Sequence, residues 1–240
     1  DFCDWYVEII KPILYGDHEE QKVTVFTTGT HVLSNILKLM HPFAPFITEE
    51  LWQNLMAVNP ALHEETDLVV SSWPQPDTSA IDDDVEIELG LVQEVITGIR
   101  AIRSEMDVPP AREADLLIRA GNEQAVFVQS HERIIRHLAR AESLTVGPEL
   151  ERPPHSATVV VRGMELFIPL EGLIDLAREK ERLLDQIQRL GSRLQQVETK
   201  LQDREFVTKA PGDVVERERK KLGDMSDNLA KLKQNYAMLE

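Results

Sequence analysis

Positive charge gathered near one end of an acidic chain is the chemistry this sequence offers first. Arg217, Arg219, Lys220 and Lys221 form a run around Glu216 and Glu218, and Arg189, Arg193, Lys200, Arg204 and Lys209 lie shortly before it. Such residues meet phosphates, each contact making binding more salt-sensitive; the competing reading is a set of solubilising charges. Arg100 and Arg103 sit one turn apart on an expected helix and face either an anionic ligand or a carboxylate such as Glu94 or Asp107. Nothing points to a catalytic residue. The seven histidines show no HxxxH or HExxH spacing for zinc, and there is neither a glycine-rich phosphate loop nor a GxSxG elbow. Asp82, Asp83 and Asp84 read as the capped, charged start of a helix in preference to a cation site. Cys3 is the single cysteine, which excludes an internal disulfide and a cysteine-rich metal site.

The bulk properties bound the rest. Across 240 residues, 42% hydrophobic and 28% charged content suits a core-forming protein, and no stretch approaches a membrane span. The lone cysteine fits a reducing, cytoplasmic setting. A net charge of −16 argues against a nucleic-acid binder, but the charge is uneven. Residues 1–80 carry 3 basic and 12 acidic side chains, whereas residues 172–240 carry 14 and 13. The chain opens without Met, on residues already of helical spacing (Trp5, Ile9, Ile13), so it is expected to be a piece of a longer protein.

Periodicity places these residues on elements. A helix is expected over Asp4–Leu14, broken by Gly16 and Asp17, and another over Val23–His41 with Val32, Leu33, Ile36, Leu37 and Met40 on its apolar face. In HPFAPFITEELWQ, Pro42 and Pro45 interrupt that helix and Thr48 caps the next, which ends near Pro60. The junction fixes an angle between helices and plants Phe43, Phe46 and Trp52 in the core. A helix over 82–106 buries Leu91, Val92, Val95, Ile96, Ile99 and Ile102 and stops at VPP. ADLLIRA reads as a strand, 122–141 as a helix, SLTV as a short strand, and ATVVVRGMELFIPL as two strands about a turn at Arg162 and Gly163.

The last region repeats in sevens. Leu173, Ile187, Leu194 and Leu201 form one row and Leu176, Leu183, Leu190 and Val197 a second, with Lys180 and Arg204 as interruptions. After FVTKAPGD, with Pro211 in the new first turn, Val215, Leu222, Leu229 and Tyr236 resume one row. Met225, Leu232 and Leu239 resume the other, with Glu218 interrupting it. Two such rods joined by a short turn fold back as an antiparallel hairpin, a narrow arm of about 45 Å. The fold class is thus mainly α: a helical bundle (1–110), a small α+β connector (111–171) and a coiled-coil hairpin (172–240). An intrachain seam favours a monomer; a dimerisation or scaffold module is the alternative.

KLMHPFAPFITEELWQ (38–53) resembles the anticodon-binding bundle of class I aminoacyl-tRNA synthetases for valine, isoleucine and leucine. IRAIRSEMDVPPARE (99–113) is similar to the segment that follows in valyl-tRNA synthetases, and FVTKAPGDVVERERKKL (206–222) to their coiled-coil arm. One cysteine departs from the Cys-rich zinc module that ends bacterial isoleucyl enzymes. The resemblance implies that the bundle binds the anticodon stem and loop of tRNA(Val). It implies that the connector leads to the arm, and that the arm lies along the outer corner of the tRNA, where the D and T loops meet. It implies ATP- and Mg-dependent attachment of valine, and editing of threonine, in domains upstream. With neither a HIGH-like nor a KMSKS-like motif, this chain alone is expected to be inactive and to hold no cofactor.

Overall fold

The computed structural model describes residues 1–17, 19–58 and 67–239, with the backbone alone at Arg204. The chain divides into two compact units, Asp1–Ile87 and Glu88–Glu240.

The first unit is helical. A π-helical turn, Phe2–Tyr6, runs into α1 (Val7–Leu14), followed by α2 (Glu19–Met40) and α3 (Pro45–Val58). Tyr6 joins α1 to α2: its hydroxyl donates to the Val25 carbonyl at 2.7 Å, and its ring lies so near Gly29 that a Cβ there would sit 3.3 Å from it. The core is a small cluster of Leu37, Trp52, Met56 and Leu68, with Leu33 and Leu55 packed on it. The expected end of α3 near Pro60 lies outside the described residues.

Three expectations for HPFAPFITEELWQ change. Thr48 is not a cap, because α3 starts at Pro45, whose missing N–H suits a first turn. Thr48 is buried instead; its hydroxyl donates to the Ala44 carbonyl at 2.8 Å and lies 2.9 Å from His41 Nδ1. Phe43 and Phe46 are not core residues but 88% and 91% exposed, against 3% for Trp52. The reason is helical phase. Thr48, Trp52 and Met56 are spaced by four and share the buried stripe, while Phe46 precedes Trp52 by six, about 120° away around the helix. The apolar face of α2 also shifts: Thr30, Ser34 and Leu37 are buried and Met40 is exposed. The two hydroxyls can be buried because they donate to the carbonyls of Thr27 and His31 within the helix. Glu49 fastens the loop beyond α3, accepting from the Leu68 backbone N–H at 3.0 Å.

The division between units falls within α4 (Asp83–Glu105). Asp82 caps this helix, accepting from the backbone N–H groups of Asp84 and Val85, both at 3.1 Å. Val92, Val95, Ile96, Ile99 and Ile102 form its buried stripe. Gly98 lets α4 approach β-structure: a Cβ there would lie 3.0 Å from Val161 Cγ2.

The rest of the second unit carries a four-stranded mixed sheet in the order β2-β1-β4-β3. β1 (Ala114–Arg119) pairs parallel with β2 (Ala141–Gly147) and antiparallel with β4 (Met164–Pro169), which pairs antiparallel with β3 (Ser156–Val161). Arg162 (φ 49°) and Gly163 (φ 81°) turn β3 into β4, the double positive φ of a tight hairpin. The helix expected over 122–141 is two helices, α5 (Asn122–Ser130) and α6 (Glu132–Ala139), broken at His131, and its last residue already belongs to β2. Leu116, Ile118, Met164, Leu166, Phe167 and Ile168 fill the core at 1% exposure or less. Each such side chain contributes roughly 1.5–3 kcal/mol on burial.

Two rods complete the unit: α7 (Leu176–Gln202) and α9 (Gly212–Met238), joined through the short α8 (Arg204–Lys209). Asp175 caps α7 by accepting from the Arg178 N–H at 3.1 Å. Pro211 precedes α9 as its cap residue and lies outside its first turn.

Candidate nucleic-acid interface

The hairpin positions most of the candidate cations. Leu183, Val197 and Val215 are buried, while Ile187, Leu190, Leu194, Leu222, Met225 and Leu229 are half-buried, as a two-residue-wide seam requires. Lys200, near the end of α7, meets Glu218, near the start of α9, at 2.7 Å, so the rods run antiparallel. At the root, Leu239 is buried, its carbonyl 3.0 Å from His155 Nδ1, and α9 packs on β3.

Glu218 interrupts the apolar row, and the structure shows what makes it tolerable. The hydrogen bond from Lys200 holds its carboxyl below the usual carboxylate range, with Lys200 and Lys221 adding attraction. Lys200 also lies 4.6 Å from the Phe206 ring. Lys200 is therefore built into the tip of the hairpin.

The remaining arm candidates divide in two. Arg189 pairs with Asp185 at 2.9 Å, Arg217 with Asp213 at 2.7 Å, and Lys209 with Glu205. These are exposed i,i+4 pairs, weak enough for a phosphate to displace. Arg193, Arg219, Lys220 and Lys221 are exposed and, among the described residues, make no ion pair. The Arg204 side chain lies outside the described residues. Helical geometry brings Arg217, Lys220 and Lys221 to one face of α9 and Arg189, Arg193 and Lys200 to one face of α7; Arg219 turns to the opposite flank.

Arg103 does not find the carboxylate expected for it. Arg103 is 7% exposed, and its guanidinium donates to the carbonyls of Arg140 at 3.3 Å, Pro109 at 3.4 Å and Arg112. It locks the end of α4 to the sheet. Arg100 Nε donates to the Leu138 carbonyl at 3.0 Å. Glu94 pairs instead with Arg162, two bonds at 2.8 and 2.7 Å that lower the Glu94 carboxyl and raise the guanidinium. Sequence reading passed over Arg133, Arg136 and Arg140, which the fold gathers at one hollow, Arg140 also lining a second with Arg100 and Arg103. Their shared signal, three arginines on and after α6 in an acidic chain, was present but unremarkable without the fold.

Among the described residues no group of three or more His, Cys, Asp or Glu could hold a metal ion, and no helix is long and apolar enough to cross a membrane.

Comparison with known proteins gives this geometry a context. Residues 1–118 match the family described as anticodon-binding domain of tRNA ligase, and residues 175–240 the family described as valyl tRNA synthetase tRNA binding arm. The chain is 39% identical over 227 residues to a valine–tRNA ligase of Geobacter sulfurreducens, covering 94% of the chain and 25% of that protein. It is 39% identical to one of Chlorobaculum tepidum and 35% identical to one of Oceanobacillus iheyensis, covering all of the chain and 26% and 27% of those proteins. The chain thus spans about a quarter of the length of the curated relatives it matches. With an anticodon-binding match, an arm match and relatives of one name running through both, the chain belongs to the valyl-tRNA synthetase family, of which it holds the anticodon-binding domain and the tRNA-binding arm.

Proposed function

We propose that this chain is the tRNA-gripping part of a valine–tRNA ligase whose catalytic and editing chemistry, with ATP and Mg, belongs to the remainder of the enzyme. The chain by itself carries no ligase activity. The bundle engages the anticodon stem and loop of tRNA(Val), and the arm lies along the outer corner of the tRNA. Binding is led by shape, phosphate contacts fixing position and exposed bases giving specificity. Arg193, Arg219, Lys220 and Lys221 are the arm's primary phosphate contacts; Arg189, Lys209 and Arg217 join by exchanging their carboxylates for phosphates. The enzyme works as a cytoplasmic monomer.

One observation carries this reading: the seam is closed within the chain, and unpaired cations stand on its outer faces, in the segment that matches a tRNA-binding arm. A dimerisation module would need its seam for a second copy.

The test replaces Arg193, Arg219, Lys220 and Lys221 by Ala and measures tRNA binding against salt. Each lost phosphate contact is expected to flatten the log–log salt slope by about 0.7–0.9. Unchanged affinity and slope would remove the four from the interface. Sedimentation supplies the second arm: a monomer that shifts on adding tRNA is expected, and a concentration-dependent dimer indifferent to tRNA overturns the reading. In the complete enzyme, deleting residues 172–240 raises the KM for tRNA and spares ATP-dependent valine activation.

A further inference from the structure

Neither family match covers residues 119–174, yet Arg133, Arg136 and Arg140 of a basic surface lie there. Two open concavities, of about 530 and 430 Å³, share Arg140 as a wall. Arg133, Arg136 and His137 line the first with Glu113 and Glu132; Arg100 and Arg103 line the second with Asp107. Five arginines against three carboxylates is a local reversal of sign in a chain of net charge −16.

Two of these arginines sit where local preference opposes them. Arg133 is the second residue of α6, in the first turn, where the helix dipole disfavours a cation. Arg136 and His137 occupy the last turn, where the same dipole welcomes them, and Arg136 is also held by Glu132 at 3.3 Å. Arg140 follows α6 in the left-handed conformation (φ 55°, ψ 51°), a place that glycine or asparagine fills more cheaply. Its backbone is pinned there: its carbonyl accepts from Ala114 N–H at 3.2 Å and from Arg103 Nη1 at 3.3 Å. Among the described residues neither Arg133 nor the Arg140 side chain has an ion-pair partner. Beneath them, Arg103 is satisfied by three carbonyls and no carboxylate, so its buried charge adds to the field at the surface. Burial, and after it the neighbouring Arg140, lowers the Arg103 pKa.

We propose that Arg133 and Arg140, with Arg100 beside Arg140, form a third tRNA contact, binding backbone phosphates at the connector. This rests on the tRNA-binding reading above. Two cations held against helix-dipole and backbone preference, over a buried guanidinium without a carboxylate, suit a polyanion. Successive phosphates of an RNA strand match two adjoining basic hollows better than one small anion does.

The test uses the 240-residue chain carrying Arg133→Ala and Arg140→Gly together. Glycine suits the backbone at 140, so the melting temperature stays level or rises while both guanidinium groups are lost. Affinity for tRNA is expected to fall roughly tenfold at 0.1 M salt, and the salt slope to flatten by about 1.4–1.8. The Arg133→Lys, Arg140→Lys variant is expected to keep most of both, since a lysine still meets a phosphate as a point charge. Unchanged binding and slope, while the arm variant weakens binding, overturns this proposal and leaves the tRNA reading intact. A lysine variant as defective as the Ala/Gly one also overturns it, because charge would not be the cause. A parent chain that does not bind tRNA at all removes both.

Discussion

The two units of this chain solve their surfaces differently. Asp1–Ile87 has 3 basic and 16 acidic side chains, while Glu88–Glu240 has 23 and 26. Among the described residues, the first buries a cluster of Leu37, Trp52, Met56 and Leu68 and leaves Tyr15, Phe43, Phe46 and Trp73 exposed; the second buries Leu116, Ile118, Leu166 and Phe167 of its sheet. The lesson is that the cations reside almost wholly on one unit. Phosphate contacts need positive charge, and the second unit carries most of it. On charge alone the first unit repels a phosphate backbone, which leaves base edges, aromatic faces and polar groups as its means of meeting RNA.

The contrast can be attacked through stability first. Phe167→Ala in the sheet is expected to cost about 3–5 kcal/mol, whereas Phe46→Ala, at a side chain 91% exposed, should stay within about 0.5 kcal/mol. Urea unfolding followed by circular dichroism checks the first. Tryptophan fluorescence checks the second, since Trp5, Trp52 and Trp73 all lie in the first unit. A comparable loss from Phe46→Ala would mean that the aromatic is covered in the folded chain.

Next come two glycines within the second unit. A Cβ at Gly98 would press on Val161 at 3.0 Å and Val159 at 3.4 Å, so Gly98→Ala should destabilise by about 1 kcal/mol despite the gain in helix propensity. At Gly191, in the rod, a Cβ meets nothing within 4 Å, and Gly191→Ala should stabilise by about 0.5–1 kcal/mol. Equal effects of the same sign would deny that α4 is packed and the rod open.

The smallest effect is in pH. The Glu218 carboxyl, lowered chiefly by the Lys200 hydrogen bond, stabilises the fold above the ordinary carboxylate range near pH ~4.3. That stabilisation is lost as pH falls through the depressed folded value. Comparing parent and Glu218→Gln melting between pH 6 and 3 should show the difference shrinking with acid. A constant difference would place the role of Glu218 in packing.

Much of this was legible because it is periodic or local. Heptad rows survive being read as letters, and Leu183, Val197 and Val215 were placed in the seam from spacing alone. Asp82 as a cap and Arg162–Gly163 as a turn depend on neighbours a few residues away. Arg103 was misjudged because its partners come from residues 109, 112 and 140, a convergence that exists only once the sheet has formed. Phe46 was misjudged because aromatic content suggests burial, whereas the phase of a helix starting at Pro45 decides which side chains turn inward; Phe43 lies in the turn before that helix.

By itself, then, the sequence determined the secondary structure of the rods, the hairpin of β3 and β4 and the scarcity of cations early in the chain, since each follows from spacing or composition, while the family came from the resemblance of three motifs. Tertiary structure alone decided which cations are spent and which remain. Lys200 is consumed by Glu218 and Arg103 by carbonyls, while Arg133 and Arg140 are brought together at one surface. Charge in a sequence is only a count; its sign at a surface depends on which partners folding brings within a few ångströms.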